Sequence, residues 1–451
     1  MLRKVVALAI LTTALRFWLA IHYFGFQTGD DAEIVQEAFR SAFGLDYAPW
    51  AIRNLLLSEI FVAPVLKIAS FAGVHDPFAL AQVARWPFLL FGGLNVLLVF
   101  LVGRAWFSEQ AGFLASGLYS IHWLPLAFGS SLYPRIPGTT FILLATLLVT
   151  RGRFMTAGLV AALAFAMRYS EIVFLAPLVF EAGRRWWRLL MGYAIGVLLF
   201  LGIYESMSWG TPFSSLRAFT RYTLLERQSS SRLGTETQPW WWYAGALPQW
   251  LAPALWPFLW ASRRSITARF AVYVLLPMIE LSVIHHKELR YLQAVIPFAM
   301  IFAAHGALVM WERGPRSLVV TLLVLAAPLQ LARIGSVAKR TMPAMMAARV
   351  MRDRGVTGVA LSQSWAYGGT LFLPHPYELG LPPDSARLRD LAPRVDCVAV
   401  FHSLLTSEIR TIVAGAGLIE EKRLTSEPAR AVDLFCRPVS GGRSSAAHLD
   451  Q

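Results

Sequence analysis

The stretch Ile284-His285-His286-Lys287-Glu288-Leu289-Arg290-Tyr291 decides how this chain is read. It sets two imidazoles, an ammonium, a carboxylate and a guanidinium into the six positions from His285 to Arg290. An apolar run from Phe270 to Val283 precedes it, and another from Leu292 to Met310 follows. Charge this dense between two membrane-length apolar runs is costly at a bilayer boundary and by default marks function. The bland alternative is a solvated turn, but such a turn calls for Gly, Asn or Ser, and the stretch contains none.

Composition sets the class. Of 451 residues, 56% are hydrophobic and 15% charged, against roughly 25% charged in soluble domains. The chain therefore reads as an α-helical polytopic membrane protein. Its net charge of +14 does not point to nucleic acid. The arginines sit in short clusters between apolar runs, as cytoplasmic loop ends do. Cys397 and Cys436 both lie in the polar C-terminal part, where an oxidising compartment would allow one disulfide. Arg3 and Lys4 precede an apolar run without a small-residue cleavage site, which reads as an uncleaved first span rather than a signal peptide.

That first span is Val5 to Phe24. A polar segment from Gln27 to Glu59 follows, and then a short apolar run, Phe61 to Val74, broken by Pro64 and Lys67. The short run reads as an interfacial or re-entrant helix. Later spans are expected at 87–103, 111–128, 137–150, 154–167, 170–182, 189–206, 244–262, 270–285, 291–311 and 317–333, about eleven in all. Arg104, Arg151, Arg153, Arg184, Arg185, Arg188, Arg263, Arg264, Arg269, Arg313 and Arg316 then fall inside. The acidic segment, Arg135, Arg168 and the His-His-Lys-Glu stretch fall outside. A single extra crossing at 61–74 would invert every one of them. The two short runs within 154–182 also read as broken half-helices.

The transmembrane domain is expected to cover 1–338. Residues 343–438 read as a small α/β domain on the non-cytoplasmic side, with β-type runs at Val356–Ser362, Val395–His402 and Ala431–Cys436 and a helical pattern at Ser407–Ala416. Residues 439–451 read as a disordered tail.

Three constellations carry chemistry. In Gly29-Asp30-Asp31-Ala32-Glu33, three carboxylates within four residues raise at least one pKa, which suits a general base. The same residues suit a helix start, with Asp30 or Asp31 as cap. The second set is cationic: His285, His286, Lys287 and Arg290, with Arg53, Arg135 and Arg168 from other loops. Arg forks and Lys point charges suit phosphate, although Arg53 and Arg168 are equally suited to internal salt bridges with Glu59 or Glu171. The third is aromatic, Trp240-Trp241-Trp242-Tyr243, which fits an interfacial belt or a stacking platform for a sugar or isoprene. There is no P-loop, GxGxxG, HExxH, CxxC or GxSxG motif, so nucleotide binding and zinc hydrolysis have no support.

His286-Lys287-Glu288-Leu289-Arg290-Tyr291, followed by Pro297, resembles the His-Lys-Glu-x-Arg-Phe motif of glycosyltransferase family 22, with Tyr291 in place of the Phe. Asp31-Ala32-Glu33-Ile34-Val35-Gln36 resembles that family's His-Pro-Asp-Glu-x-x-Gln, without the His-Pro and with Ala32 between the acids; Trp50 and Ile52-Arg53 follow. Tyr204-Glu205, Trp209-Gly210, Trp241-Trp242-Tyr243 and Leu247-Pro248 are similar to a further segment of the family.

The resemblance implies the GT-C fold, a polyprenyl-phosphate sugar donor such as polyprenyl-phosphate-mannose, and inverting transfer to a lipid-linked glycan or cell-envelope acceptor. It implies no cofactor. On this reading Asp31, or its neighbour Asp30, is the base. His286, Lys287 and Arg290 hold the departing phosphate, and Glu33, Arg53, Arg135, Arg168, His285, Glu288 and Trp242 complete the binding set. A chain this short, rich in Ala, Arg and Leu, suggests a bacterial inner-membrane protein with its site on the periplasmic face. The alternatives are a flippase for lipid-linked sugars, or an oligosaccharyl or aminoarabinose-type transferase of the same fold.

Overall fold

The computed structural model describes residues 1–226, 237–284, 286–331, 333–334, 342–373, 375–425 and 431–438. His285 and the expected tail, 439–451, lie outside them. The chain divides into two compact units, Met1–Tyr23 with Glu33–Ala338, and Phe24–Ala32 with Lys339–Gln451.

The first unit is helical. It opens with α1 (Leu2–His22) and takes α2 (Gly29–Phe43) from Glu33 onward. A π turn at Leu57–Val62 leads into α3 (Ala63–Phe71), whose Pro64 sits in the first turn, where its missing N–H breaks no helical bond. α4 (Pro77–Val83) is capped by Asp76, whose carboxylate accepts the Ala79 N–H at 3.2 Å. α5 (Trp86–Trp106) and α6 (Glu109–Ser120) follow, the latter capped by Ser108 on the Ala111 N–H at 3.1 Å. Next come α7 (Trp123–Gly129), α8 (Arg135–Thr150), α9 (Phe154–Met167), α10 (Leu175–Ala182), α11 (Trp186–Val197), α12 (Tyr204–Ser208) and α13 (Ser214–Thr220). From Thr237 onward come α14 (Trp242–Gly245), α15 (Leu247–Trp250), α16 (Trp256–Phe270), α17 (Leu276–Val283), α18 (Ile296–Arg313) and α19 (Arg316–Leu331).

Small residues let these helices touch. A β-carbon on Gly158 of α9 would lie 1.9 Å from the Leu189 carbonyl oxygen, and one on Gly192 of α11 would lie 1.9 Å from that of Met155. Backbone meets backbone there, so neither glycine can be replaced without moving a helix.

Among the described residues, three stretches are long and apolar enough to cross a membrane: Leu2–His22, Pro77–Trp106 and Tyr169–Ser208. Shorter apolar helices occupy Arg135–Thr150, Phe154–Met167 and Arg316–Leu331. Several other expected spans are built from pieces. The run at 111–128 breaks between α6 and α7, where His122 caps α7 by accepting the Leu124 N–H. The run at 270–285 combines a π turn, Ala271–Leu275, with α17. The stretch 154–182 is broken, as half-helices would be, by a 3-10 turn at Tyr169–Phe174.

The second unit contains α20 (Met342–Asp353), β1 (Val359–Leu361), β2 (Tyr377–Glu378), α21 (Ser385–Leu391), β3 (Cys397–Phe401), α22 (Ser407–Gly415), β4 (Ile419–Leu424) and β5 (Val432–Cys436). The sheet order is β2-β1-β3-β5-β4, parallel from β2 to β3 and antiparallel at β5 and β4. Its core includes Val398, Val400, Ile409, Val413 and Phe435. Cys397 and Cys436 face each other across β3 and β5 and form a disulfide. The early segment Phe24–Ala32 belongs to this unit: Phe26 stacks on Phe372 at 6.4 Å, and the Trp365 indole lies 3.8 Å from where a Gly29 β-carbon would stand.

Candidate active site

α17 ends at Val283 with Ile284 extended, and Glu288, also extended, leads into a 3-10 turn, Leu289–Ala294. An antiparallel bridge pairs His286 with Thr237. The acid of the motif organises its cations. Glu288 Oε1 accepts from Arg290 Nη2 at 2.6 Å and lies 2.9 Å from His286 Nε2, and its Oε2 is 2.5 Å from Arg290 Nε. Burial alone would raise the Glu288 carboxyl, but Arg290 and His286 outweigh it and hold it below the ordinary carboxylate range. Glu288 therefore acts here as the clamp for His286 and Arg290.

Lys287 points elsewhere. The sequence places it among the phosphate-holding cations, yet it is 4% exposed, and its ammonium donates to the carbonyl oxygens of Gln238, at 3.0 Å, and Ile284. Burial pulls its pKa down. A flexible four-carbon stem lets an ammonium turn to whichever acceptors are near. Here it ties the loop before the aromatic run to the motif.

Three side chains from other elements grip the motif backbone. Tyr243 donates to the Glu288 carbonyl at 3.1 Å, Tyr133 to that of Arg290 at 3.3 Å, and Arg135 to that of Tyr291 at 3.0 Å. Arg135 also pairs with Glu171 at 2.9 Å. Arg168 closes α9 and lies close enough to act electrostatically on Glu171 and Tyr133. Trp242, only partly exposed, packs edge-on against Tyr243 at 5.0 Å.

Glu33 and Arg53 belong to a second cluster of the same unit. Glu33 accepts the Trp50 N–H at 2.7 Å and the Tyr47 hydroxyl. The Arg53 guanidinium lies over the Trp50 ring at 5.2 Å. Glu59 accepts the Tyr204 hydroxyl at 2.5 Å, and Glu205 accepts from Asn54 at 2.8 Å, the Ser215 N–H at 3.0 Å and Tyr169 at 3.3 Å. Glu37, which the sequence does not single out, is 3% exposed between Glu33, Ser58 and Glu59. Its spacing of four from Glu33 on one helix face was the available signal. Among the described residues, no group of three or more His, Cys, Asp or Glu is placed to hold a metal ion.

In the second unit, Asp31 is 0% exposed and both its oxygens are engaged. Oδ2 accepts the Gln27 N–H at 2.7 Å and Oδ1 the Thr28 hydroxyl at 2.9 Å, while the Asp31 N–H reaches back to Thr28 Oγ1 at 3.3 Å. This is the reciprocal bonding of a helix start: Thr28 is the cap, and Asp31, three residues on, answers it with its carboxylate. Asp30, beside it in the first turn, is 8% exposed.

The profile of the Alg9-like mannosyltransferase family matches residues 62–363, well over half of the chain. The chain belongs to the Alg9-like mannosyltransferase family. Its matched region includes the His286–Arg290 loop and does not reach back to Asp30 and Asp31. Solved structures agree on architecture. ArnT from Cupriavidus metallidurans, bound to undecaprenyl phosphate, is 12% identical with a TM-score of 0.65 over 97% of this chain and 99% of that one. The Archaeoglobus fulgidus oligosaccharyltransferase, in complex with Zn and sulfate, gives 12% identity and 0.54 over 96% and 74%. The arabinofuranosyltransferase AftD from Mycobacteria gives 12% and 0.52 over 95% and 39%. Likeness at this identity shows the fold, GT-C. A search of curated proteins found no match. This Alg9-like family member is thus an integral-membrane glycosyltransferase of the hexosyl class, which leaves the flippase alternative without support.

Proposed function

We propose that this protein moves mannose from a polyprenyl-phosphate carrier to a lipid-linked or cell-envelope acceptor, with inversion at the anomeric carbon. The observation that carries the reading is the Glu288 clamp, which gathers the His286 imidazole and the Arg290 guanidinium at one place on the motif. Arg290 and His286 hold the phosphate. Asp30, beside the Asp31 already engaged at the helix start, takes the proton from the acceptor hydroxyl. That oxygen bonds the anomeric carbon, and the carbon–oxygen bond to phosphate breaks with its electron pair leaving on the polyprenyl phosphate. Electrostatic stabilisation of that leaving group and orientation supply most of the rate, and the base adds about 10²–10⁴-fold. Undecaprenyl phosphate in the ArnT structure supports a lipid-phosphate donor. The arginine distribution and the disulfide support chemistry on a non-cytoplasmic, oxidising face, and the Ala-, Arg- and Leu-rich composition favours the bacterial inner membrane, with that face periplasmic.

The test is to incubate membranes holding the protein with radiolabelled polyprenyl-phosphate-mannose. Label passing to a new acceptor, and lost in Arg290→Ala, is expected. Movement of unchanged donor without transfer would overturn the reading, and a preference for another sugar carrier would move it to a different substrate of the same fold.

A further inference from the structure

Arg135 opens α8, and its side chain is almost fully buried. Nη1 is shared between Glu171 Oε1, at 2.9 Å, and the Tyr291 carbonyl, at 3.0 Å, and Nη2 donates to Ser170 Oγ at 2.8 Å. The carboxylate compensates a charge that would otherwise be costly to bury. The Tyr291 ring has guanidinium groups near it from two sources: Arg135 at 5.1 Å from its centroid and Arg290 at 5.7 Å. Arg290 also lies over Tyr133, at 5.5 Å, whose hydroxyl donates to the Arg290 carbonyl. A planar, rigid fork whose Nη1 is fixed by Glu171 and whose Nη2 is fixed by Ser170 is suited to setting the height of the residue whose carbonyl Nη1 also holds. That is the residue next to the phosphate-holding arginine.

We infer that Arg135, anchored by Glu171 and Ser170, is a positioning residue: it sets Tyr291 and through it the Arg290 fork, and does not touch the donor phosphate. This rests on the reading of Arg290 as a phosphate holder. An arginine of this chain that the sequence groups with the ligands thereby becomes part of the frame.

A double-mutant cycle tests it in native membranes, with radiolabelled polyprenyl-phosphate-mannose as the probe. Arg135→Lys keeps the charge for Glu171 and loses the fork, and Arg290→Lys keeps a cation and loses its fork. Arg135→Lys is expected to lower turnover about tenfold in the wild-type background and less than about twofold in the Arg290→Lys background, because residues acting as one unit are not additive. Equal losses in both backgrounds would mean that Arg135 acts on the donor directly or serves folding alone, and would overturn the inference, as would no loss at all. Ser170→Ala removes one arm without disturbing charge, and a smaller loss confined to wild-type Arg290 is expected. That variant keeps the test decisive if Arg135→Lys fails to fold. Wild-type turnover in Arg290→Lys alone is a separate result: it would sink the phosphate reading and this inference with it.

Discussion

Thr28 and Asp31 bond each other reciprocally, hydroxyl to carboxylate at 2.9 Å and N–H to hydroxyl at 3.3 Å. A carboxylate engaged at a helix start in this way already has a structural task, and Asp30 beside it is the proposed proton acceptor. Asp30→Asn is expected to cut transfer by about 10²-fold or more with an unchanged unfolding temperature. Asp31→Ala, which leaves the Gln27 N–H and Thr28 hydroxyl without their acceptor, should instead cost about 1–3 kcal/mol of stability and retain measurable turnover. Full turnover in Asp30→Asn, with none in a folded Asp31→Asn, would return the base to Asp31.

The Glu288 clamp has a pH signature. Its folded carboxyl titrates below its unfolded value because Arg290 and His286 outweigh burial. Its ionisation therefore contributes stability above the unfolded value, near about 4.3, and that contribution is lost as pH falls through the lower folded one. Wild type and Glu288→Gln should differ in unfolding temperature by a steady margin from about pH 7 to 5, and converge below about pH 4. A margin that closes near neutral pH would mean the cations do not hold this acid.

Lys287 separates structure from binding. Lys287→Met leaves the Gln238 and Ile284 carbonyls without their shared donor, a loss of about 1–3 kcal/mol. Donor KM should stay near wild type, since a cation that binds phosphate would raise KM when removed. Steady-state kinetics in the purified variant decide between the two.

The motif loop was legible because its charge could not be placed in an apolar setting by accident, and the helical frame because apolar runs of roughly 20 residues have few other homes. What the loop's residues face was not legible. Lys287 and Arg290 are both cations three residues apart, yet one turns to backbone carbonyls and the other to Glu288. Arg135 and Glu171 are far apart in sequence, and only helix packing makes them partners. In the second unit the runs around β1, β3 and β5 were visible as apolar strands. β4, Ile419–Leu424, was not, since its Glu420, Glu421, Lys422 and Arg423 are the charges that protect a sheet edge. Asp31 fitted both base and cap from its position alone, and only its bonds with Thr28 showed that Thr28 is the cap and Asp31 the acid that answers it.

The Cys397–Cys436 bond ties a strand pair whose cysteines are 39 residues apart. Closing a loop of that size stabilises the second unit by about 3–4 kcal/mol in the chain-entropy account. Cys397→Ser with Cys436→Ser should lower its unfolding temperature, and dithiothreitol should do the same to wild type and nothing to the double variant. Alkylation of both thiols in freshly isolated, unreduced membranes would show that the bond does not form where the protein resides.

Glu37 gives the opposite pH slope to Glu288. Burial, and then the neighbouring Glu33 carboxylate, push its carboxyl well above the ordinary range, against Ser58 and Arg53, and Oε1 has no hydrogen-bond partner among the described residues. A group whose folded value is raised favours the folded state below its unfolded value, and that advantage disappears as pH rises through the folded one. Wild type should therefore lose stability as pH is raised from about 5 toward 9. Glu37→Gln keeps the shape and never ionises, so its profile over the same range should be flatter, with the variant the more stable of the two at the alkaline end. An unchanged slope in Glu37→Gln would mean the acid is ionised in the fold and that a cation, Arg53 first among them, neutralises it there.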